Sequence, residues 1–331
     1  MRETKEIPIL TDTFDKAEDF RPIENSLYIF ASTGESRTSH TDSWSTLIQN
    51  VKLLEILEET QNSFKVKGDV NSISLRSELA LKALWVDLLP ASKVYLDITG
   101  LTHSVWAGIL KSALQMKLEV LVVYVEPDAY SRSSAPVEGQ IYDLSASIQG
   151  ISPLPGFATL SSRNSEQFTF IPLLGFEGPR LRYIIEQIQP GFEYITPIVG
   201  SPGFKPWYVF EAYIGNKGAL TETSAWQAVR YAPANCPFSC YYLLEEIAAD
   251  NNEKALKIAL IGTKPHALGA ILFTLSSSTP VELVHDHPIR KAGRTGGTAK
   301  LLVYHVSALF DDSSAIHLSR TSYRPRRSAC R

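Results

Sequence analysis

A chain of 331 residues that is 44% hydrophobic and 20% charged has the length of two ordinary domains and the composition of a globular protein, which excludes bulk disorder. A formal net charge of -3 and an isoelectric point near 6.2 argue against a surface built to neutralise long nucleic acid, and leave room for a small anionic ligand. Cys236 and Cys240 are spaced CxxxC and Cys330 lies in the tail, so no disulfide framework is drawn, and no His-Cys cluster suggests zinc. The charged N-terminus lacks a long apolar core and no run approaches the ~18 apolar residues of a span. The expectation is a cytoplasmic protein without membrane contact.

In chain order, residues 1 to 25 read as an irregular, polar lead-in. The first strand is Leu27 to Ala31, followed by a hydroxyl-rich loop carrying Ser32, Thr33, Gly34, Glu35, Arg37 and His40. Asp42 or Ser43 then caps an expected helix with Leu47, Val51, Leu54 and Leu57 at helical spacing. A short strand near Phe64 to Val66 and a helix from Ser74 to Leu89 lead to the stretch around which the chain is organised, KVYLDITGLTHSVWAGILKSAL, from Lys93 to Leu114. It reads as a strand, a tight loop at Gly100 and a helix from about His103. EVLVVYVEP follows as a buried strand by its continuous apolar character, DAYSRSSAPVEGQ as a loop, and QIYDLSASI as a returning strand.

The Pro-, Gly- and Ser-rich stretch 150–167 marks a linker between a first module at 1–149 and a second at 168–309, with a disordered basic tail at 310–331. The second series runs FTFIPLLGFEGPRLRYIIEQI, EYITPIVGSPGFKPWYVFEAYIG, a short strand at Ala228 to Ala232, and a helix in NCPFSCYYLLEEIAAD capped by Ser239. KIALIGTKPHALGAILF, from Lys257 to Phe273, then repeats the layout of Lys93 to Leu114; without a gap, Gly100 falls on Gly262 and Ile109-Leu110 on Ile271-Leu272. VELVHDHP, the glycine-rich loop RKAGRTGGTAK and the strand LLVYHVSAL close the series. Strands alternating with helices through glycine loops imply α/β architecture: parallel, Rossmann-like sheets with helices on both faces, as two tandem modules, or one large sheet.

In a parallel sheet such loops lie at the carboxyl edge, where free backbone N–H groups and the positive helix end favour an anion. The candidate ligand-binding residues are therefore Ser32, Thr33, Gly34 and Arg37 after the first strand; Asp97, Thr99, Gly100, Thr102 and His103 in the DITGLTH loop; Gly175, Glu177 and Arg180 in GFEGPR; Gly200 and Ser201 in GSPGFKPW; and Gly262, Thr263, Lys264 and His266 in GTKPHALGA. Asp97 sits within an apolar strand, where an acid satisfies either a neighbouring loop or a ligand. Lys264 offers a phosphate a point charge, and Lys264, His266 and Glu177 are the candidates for catalysis. His285, Asp286 and His287 resemble a metal half-site lacking a third ligand, and Arg290, Lys291 and Arg294 form a basic loop able to close over phosphates. The absence of GxGxxG and Walker A loops leaves hydride transfer and P-loop hydrolysis poorly supported, and without a GxSxG or HExxH motif the spacing gives no argument for nucleophilic catalysis; no cofactor and no metal are expected.

The run DITGLTHSVWAGILKSAL followed by LEVLVVYVEPDAY resembles the core of CARF domains, the Rossmann-like sensors of CRISPR-associated and related antiviral systems. Asp97, Thr99, Gly100 and Thr102 match that family's loop, Ala107 and Gly108 its small helix positions, and YVEPD the end of its next strand, while the family's second loop glycine is Leu101 here. The resemblance covers residues 26–148 and, more faintly, 168–307. It implies a cytoplasmic sensor of a nucleotide or cyclic oligonucleotide in prokaryotic antiviral defence, with Ser32 to Arg37 lining the pocket and a symmetric site across a homodimer or a pseudo-dimer within the chain. No fused effector motif is present, so the resemblance leaves three forms open: a sensor signalling to a separate effector protein, a ring nuclease turning over its own ligand, and a ligand-free scaffold subunit.

Overall fold

The computed structural model describes residues 11–46, 48, 50–86, 93–137, 139–158, 168–251 and 254–310. The elements up to residue 125 are β1 (Thr11–Phe14), β2 (Ser26–Phe30), β3 (Val51–Leu57), β4 (Ser63–Val66), β5 (Ser72–Ser74), α1 (Glu78–Val86), β6 (Lys93–Asp97), α2 (His103–Gln115) and β7 (Val120–Val125). Short strands follow at β8 (Ala129–Tyr130), β9 (Arg132–Val137), β10 (Gln140–Tyr142), β11 (Ser145–Ile148) and β12 (Ser152–Pro153). Next come β13 (Thr169–Leu173), α3 (Gly178–Ile188), β14 (Ile198–Gly200), α4 (Tyr208–Glu222), β15 (Arg230–Ala232), α5 (Pro237–Asp250), β16 (Leu256–Leu260) and α6 (Lys264–Ser276). The described chain closes with β17 (Val281–His285), β18 (Pro288–Arg290), β19 (Thr295–Gly296) and β20 (Leu301–Tyr304).

The fold is mixed α/β, with two main sheets. An eight-stranded mixed sheet has the order β1-β20-β7-β6-β2-β3-β4-β5, in which β7, β6, β2 and β3 are parallel neighbours. A six-stranded sheet has the order β12-β17-β16-β13-β14-β15, parallel except for β12 at its edge. The largest apolar core lies between the sheets and takes Trp85 from α1, Trp106 from α2, Tyr241 from α5 and Leu268 from α6. Here α2 packs on α6 and α5 on α6. Leu181 and Ile184 of α3, with Ala212, Ala219 and Leu220 of α4, cover the other face of the six-stranded sheet. An aromatic layer of Phe20, Tyr28, Trp44 and Tyr95 lies on the other face of the eight-stranded sheet.

Four local expectations change. The lead-in contains β1, paired antiparallel with β20. The helix expected from Asp42 to Leu57 is a 3-10 helix over Ser36–Thr46 followed by β3, which runs parallel to β2; Leu47 lies outside the described residues. In VKLLEIL the alternating Leu54 and Ile56 turn to the core while Leu53 and Leu57 stay exposed, a period of two that a dense apolar run hides beneath a three-to-four spacing. The 128–140 stretch expected as a loop contains the strands β8 and β9, while β10 and β11 fall within the expected strand QIYDLSASI; β8 pairs with β19 and β11 with β18, near the far end of the chain. The helix after NCP begins at Pro237, and its cap is Cys236, whose Sγ accepts from the Ser239 N–H, rather than Ser239.

The last strand of the second series does not join its own sheet. β20 pairs antiparallel with β7 and β1, so residues 301–304 complete the eight-stranded sheet. In the same way β12, before the expected linker's end, joins β17 of the six-stranded sheet. Residues 159–167 of that linker and the tail from 311 onward lie outside the described residues. In the two stretches of like layout, the helices α2 and α6 are each thirteen residues long. Their caps, Thr102 and Thr263, correspond; the β6–α2 loop spans 98–102 and the β16–α6 loop only 261–263, so the gap-free match of Gly100 with Gly262 does not hold through the loops. Among the described residues no helix is long and apolar enough to cross a membrane.

Candidate functional site

A cleft of about 150 Å³ opens where the carboxyl ends of β6, β13, β14, β16 and β17 converge. Both sheets contribute, because α2 and α6 start side by side and their preceding loops face one another. Of the residues picked out from sequence, Arg37, Thr102, His103, Gly175, Glu177, Arg180, Gly200, Gly262, Thr263 and Lys264 line it. Ser32, Thr33, Gly34, Asp97, Thr99, Gly100, Ser201 and His266 do not.

Asp97, Thr99 and Thr102 of the DITGLTH loop are spent on the fold. Asp97 accepts from the Thr99 N–H at 2.8 Å and from the Tyr28 hydroxyl at 2.9 Å, and His40 lies 3.4 Å from it. Thr99 Oγ1 accepts from the Val125 N–H, which binds the loop to β7. Gly100 is needed for close approach: a Cβ there would stand 1.9 Å from the Ala31 carbonyl oxygen at the end of β2. Thr102 donates both its N–H and its hydroxyl to Glu59, at 2.7 and 2.6 Å.

The opposing loop reaches across. Lys264, at the first position of α6, is buried and donates to the carbonyls of Ile98, Thr99 and Leu101, the last two at 2.7 Å. Three acceptors take the three protons of an ammonium group. Burial first and Arg290 second pull its pKa below the ordinary lysine value. Arg290 donates to the Gly100 and Leu101 carbonyls, and burial, then Arg294, lowers its pKa to about 10. Lys264 is thus a bracket between the two halves rather than a charge waiting for phosphate. His266 is fully buried behind it, with Nε2 at 3.0 Å from the Pro233 carbonyl; burial lowers its pKa to about 4.

Around the rim, Glu177 accepts from the Leu144 and Ser145 N–H groups and the Ser145 hydroxyl, so it pins β11. Arg180 forms a two-pronged pair with the fully buried Asp286, both bonds 2.7 Å, in the fork geometry that guanidinium and carboxylate favour. Glu35 holds Arg37 at 2.7 Å, Arg294 at 2.9 Å and the Thr295 hydroxyl at 2.7 Å. Burial opposes ionisation of Glu35, but Arg37 and Arg294 outweigh it and keep its pKa well below the usual carboxylate range. Ser131 and Ser36 bind the backbone of Arg294, Gly293 and Gly297, which docks the glycine-rich loop at the cleft mouth.

Sequence reasoning passed over the aromatic wall. Tyr130, Phe176 and Tyr208 touch one another with ring centroids 5.1–5.8 Å apart, and Tyr124 and Phe204 stand beside them; all five line the cleft. The YVEPDAY run holds Tyr124 and Tyr130 on either side of a strand end, a position at the carboxyl edge that was the available signal. His285 also lines the cleft, its ring 4.7 Å from that of His103 and 4.8 Å from that of His287. Among the described residues no group of three or more His, Cys, Asp or Glu side chains is placed to hold a metal ion. No protein-family model matches the chain, and no curated protein does.

Proposed function

We propose that this chain is a nucleotide-sensing protein whose ligand enters the cleft between the two sheets. The observation that carries the reading is an aromatic cluster, Tyr130, Phe176 and Tyr208, lining the same carboxyl-edge cleft as Arg37, Arg180, Arg290 and Arg294. Rings accept a base by stacking, and guanidinium groups accept phosphate. Among these cations Arg294 is the one best placed for a ligand, since among the described residues its side chain donates from Nε to Glu35 alone.

On this reading the two sheets are two Rossmann-like modules, and α2 against α6 makes the pseudo-dimer that supplies both walls from one chain. The resemblance to CARF domains favours a cyclic oligonucleotide-type ligand, an antiviral setting and a separate effector protein as partner. A cleft of about 150 Å³ is smaller than the roughly 300–1,000 Å³ of sites that enclose drug-sized ligands, so on this reading it takes one part of the ligand, a base or a phosphate group, and leaves the rest at its mouth. Binding is favoured over turnover because Lys264, His266 and Glu177 are each committed to backbone partners.

The test is thermal shift of the purified protein against linear and cyclic nucleotides, with mass spectrometry of molecules released on denaturation. A stabilising nucleotide is expected, and Arg294→Gln should bind it about tenfold more weakly, the loss of one charge-assisted contact. A flat response across the panel refutes the proposal. It would instead favour the second reading, a ligand-free scaffold for an effector, which the mutual pairing of most polar groups in the cleft supports.

A further inference from the structure

Outside the cleft, the segment from α4 to β15 leaves five large apolar side chains in solvent, each between 47% and 68% exposed. Trp207, Phe210 and Ile214 recur at the three- and four-residue spacing of one face of α4, Trp226 follows in the 3-10 turn Ala225–Ala228, and Tyr231 stands on β15. The hydroxyls of Tyr213 on α4 and Tyr231 are hydrogen-bonded at 2.6 Å, which joins the helix face to the strand. Single exposed apolar residues are ordinary, but aromatic side chains gathered on one face mark an interaction surface.

The strand beside this face is open. β15 ends the six-stranded sheet and pairs with β14 on one side only. The Arg230 N–H donates to the Pro197 carbonyl and the Ala232 carbonyl accepts from the Ser201 N–H, so both residues turn their backbone groups towards β14. Successive residues of a strand alternate in direction, so the N–H and C=O of Tyr231 point to the open side. Pro233 has no N–H and its carbonyl accepts from the Cys236 N–H, which confines an added ladder to Tyr231.

We propose that this surface binds a second copy of the chain, β15 pairing antiparallel with the partner's β15 about a twofold axis at Tyr231. Each Tyr231 N–H then donates to the other copy's Tyr231 carbonyl, and the two six-stranded sheets join edge to edge. Charge selects this occupant. In that register Arg230 lies opposite the partner's Ala232 rather than the partner's Arg230, and its guanidinium is already paired with Glu246 of α5 at 2.6 Å. The axis runs the two α4 helices antiparallel with Tyr213 near their midpoint. Lys217, which continues the apolar stripe, therefore meets the Phe210 end of the partner's stripe, where a ring accepts a cation. A strongly charged partner would find no matching run of charge on this face.

The area is consistent with a dimer of modest strength. Four rings of roughly 150–250 Å² each, about half exposed, together with an isoleucine, offer on the order of 500 Å² per copy and about 1,000 Å² across the pair, the small end of specific interfaces. Tyr208 and Ala212 line the cleft from the opposite, buried face of α4, so each copy keeps a whole cleft. The dimer goes beyond the nucleotide reading and does not depend on it.

Sedimentation velocity of the full chain between about 1 and 200 μM tests the proposal, and the expected result is a reversible monomer–dimer equilibrium of roughly micromolar strength. Phe210→Glu changes a side chain 68% exposed, so it should keep the circular dichroism of the wild type while weakening the dimer at least about tenfold. Tyr231→Pro removes the outward N–H but no bond to β14, and should weaken it similarly. Leu79→Glu, on the exposed face of α1, should leave it unchanged. A chain that stays monomeric throughout overturns the proposal, as do assemblies that grow beyond two copies, a dimer that Phe210→Glu leaves intact, and one that Leu79→Glu weakens equally. The Phe210 variant decides the matter even where Tyr231→Pro does not fold.

Discussion

Replacing Lys264 by Met removes a buried ammonium group that joins the two halves of the chain. Its three hydrogen bonds run to carbonyls of residues 98, 99 and 101. At ~1.5–3 kcal/mol for each bond to a charged donor, their loss amounts to roughly 4–9 kcal/mol. Methionine escapes the desolvation of a buried charge, which offsets several kcal/mol of that. The net loss is about 3 kcal/mol, and with a urea slope of about 3 kcal/mol per M it lowers the unfolding midpoint by about 1 M. Urea titration followed by tryptophan fluorescence and far-UV circular dichroism measures it. A midpoint within about 0.2 M of the wild type would refute the view that Lys264 brackets the 98–101 loop. Lys264→Glu is the harsher variant, since it places an acid among carbonyl oxygens, and a soluble folded product would tell equally against the bracket.

Gly100→Ala forces a methyl group onto the Ala31 carbonyl, and both atoms belong to backbone; it should cost about 3 kcal/mol or abolish soluble expression, as judged by thermal unfolding. Gly34→Ala, with open space around it but φ at +74°, should cost only about 1 kcal/mol by the same assay. Asp97→Asn keeps shape but weakens the acceptor for Tyr28 and Thr99, so the melting temperature should fall while affinity for any cleft ligand stays within about twofold; a selective loss of binding would return Asp97 to the ligand site. Acid should destabilise the protein through its buried histidines. His266 and His285 have folded-state pKa values lowered to about 4 and about 3, so below the ordinary value near 6.5 the unfolded chain takes up protons that the folded one refuses. Stability therefore falls as pH drops from about 6.5 towards 4, by up to about 3 kcal/mol for His266, and a melting temperature flat between pH 7 and 5 would contradict this.

Much of the fold was legible because its signals are local. KVYLD, VLVVYV and LKIAL are short, apolar and β-branched enough to be strands wherever they lie, and α2 and α6 announce themselves by a threonine cap and helical spacing. The position of the cleft followed from the rule that loops after parallel strands share one edge, and ten of the candidate residues do line it. What those residues do there was not legible. Lys264, an exposed phosphate binder by its loop, is buried against carbonyls from the other sheet, and Asp97, a ligand candidate by its oddity in a strand, is satisfied by Tyr28 and Thr99. A side chain's chemistry can be read from its type, but whether that chemistry remains available depends on which partners the fold brings within about 3 Å.

The sequence by itself determined the alternation of strands and helices, the doubled strand-loop-helix stretch and the residue types gathered at the carboxyl edges, since each depends on propensities and periods within about a dozen neighbours. Only the tertiary structure decided that β20 returns to the sheet that holds β1 and β2, that β3 is a strand, that the basic loop docks through Glu35, and that His285 comes to rest against His103. Strand pairing and the satisfaction of buried polar groups are settled between segments far apart in the chain, by backbone hydrogen bonds and burial that no local pattern encodes.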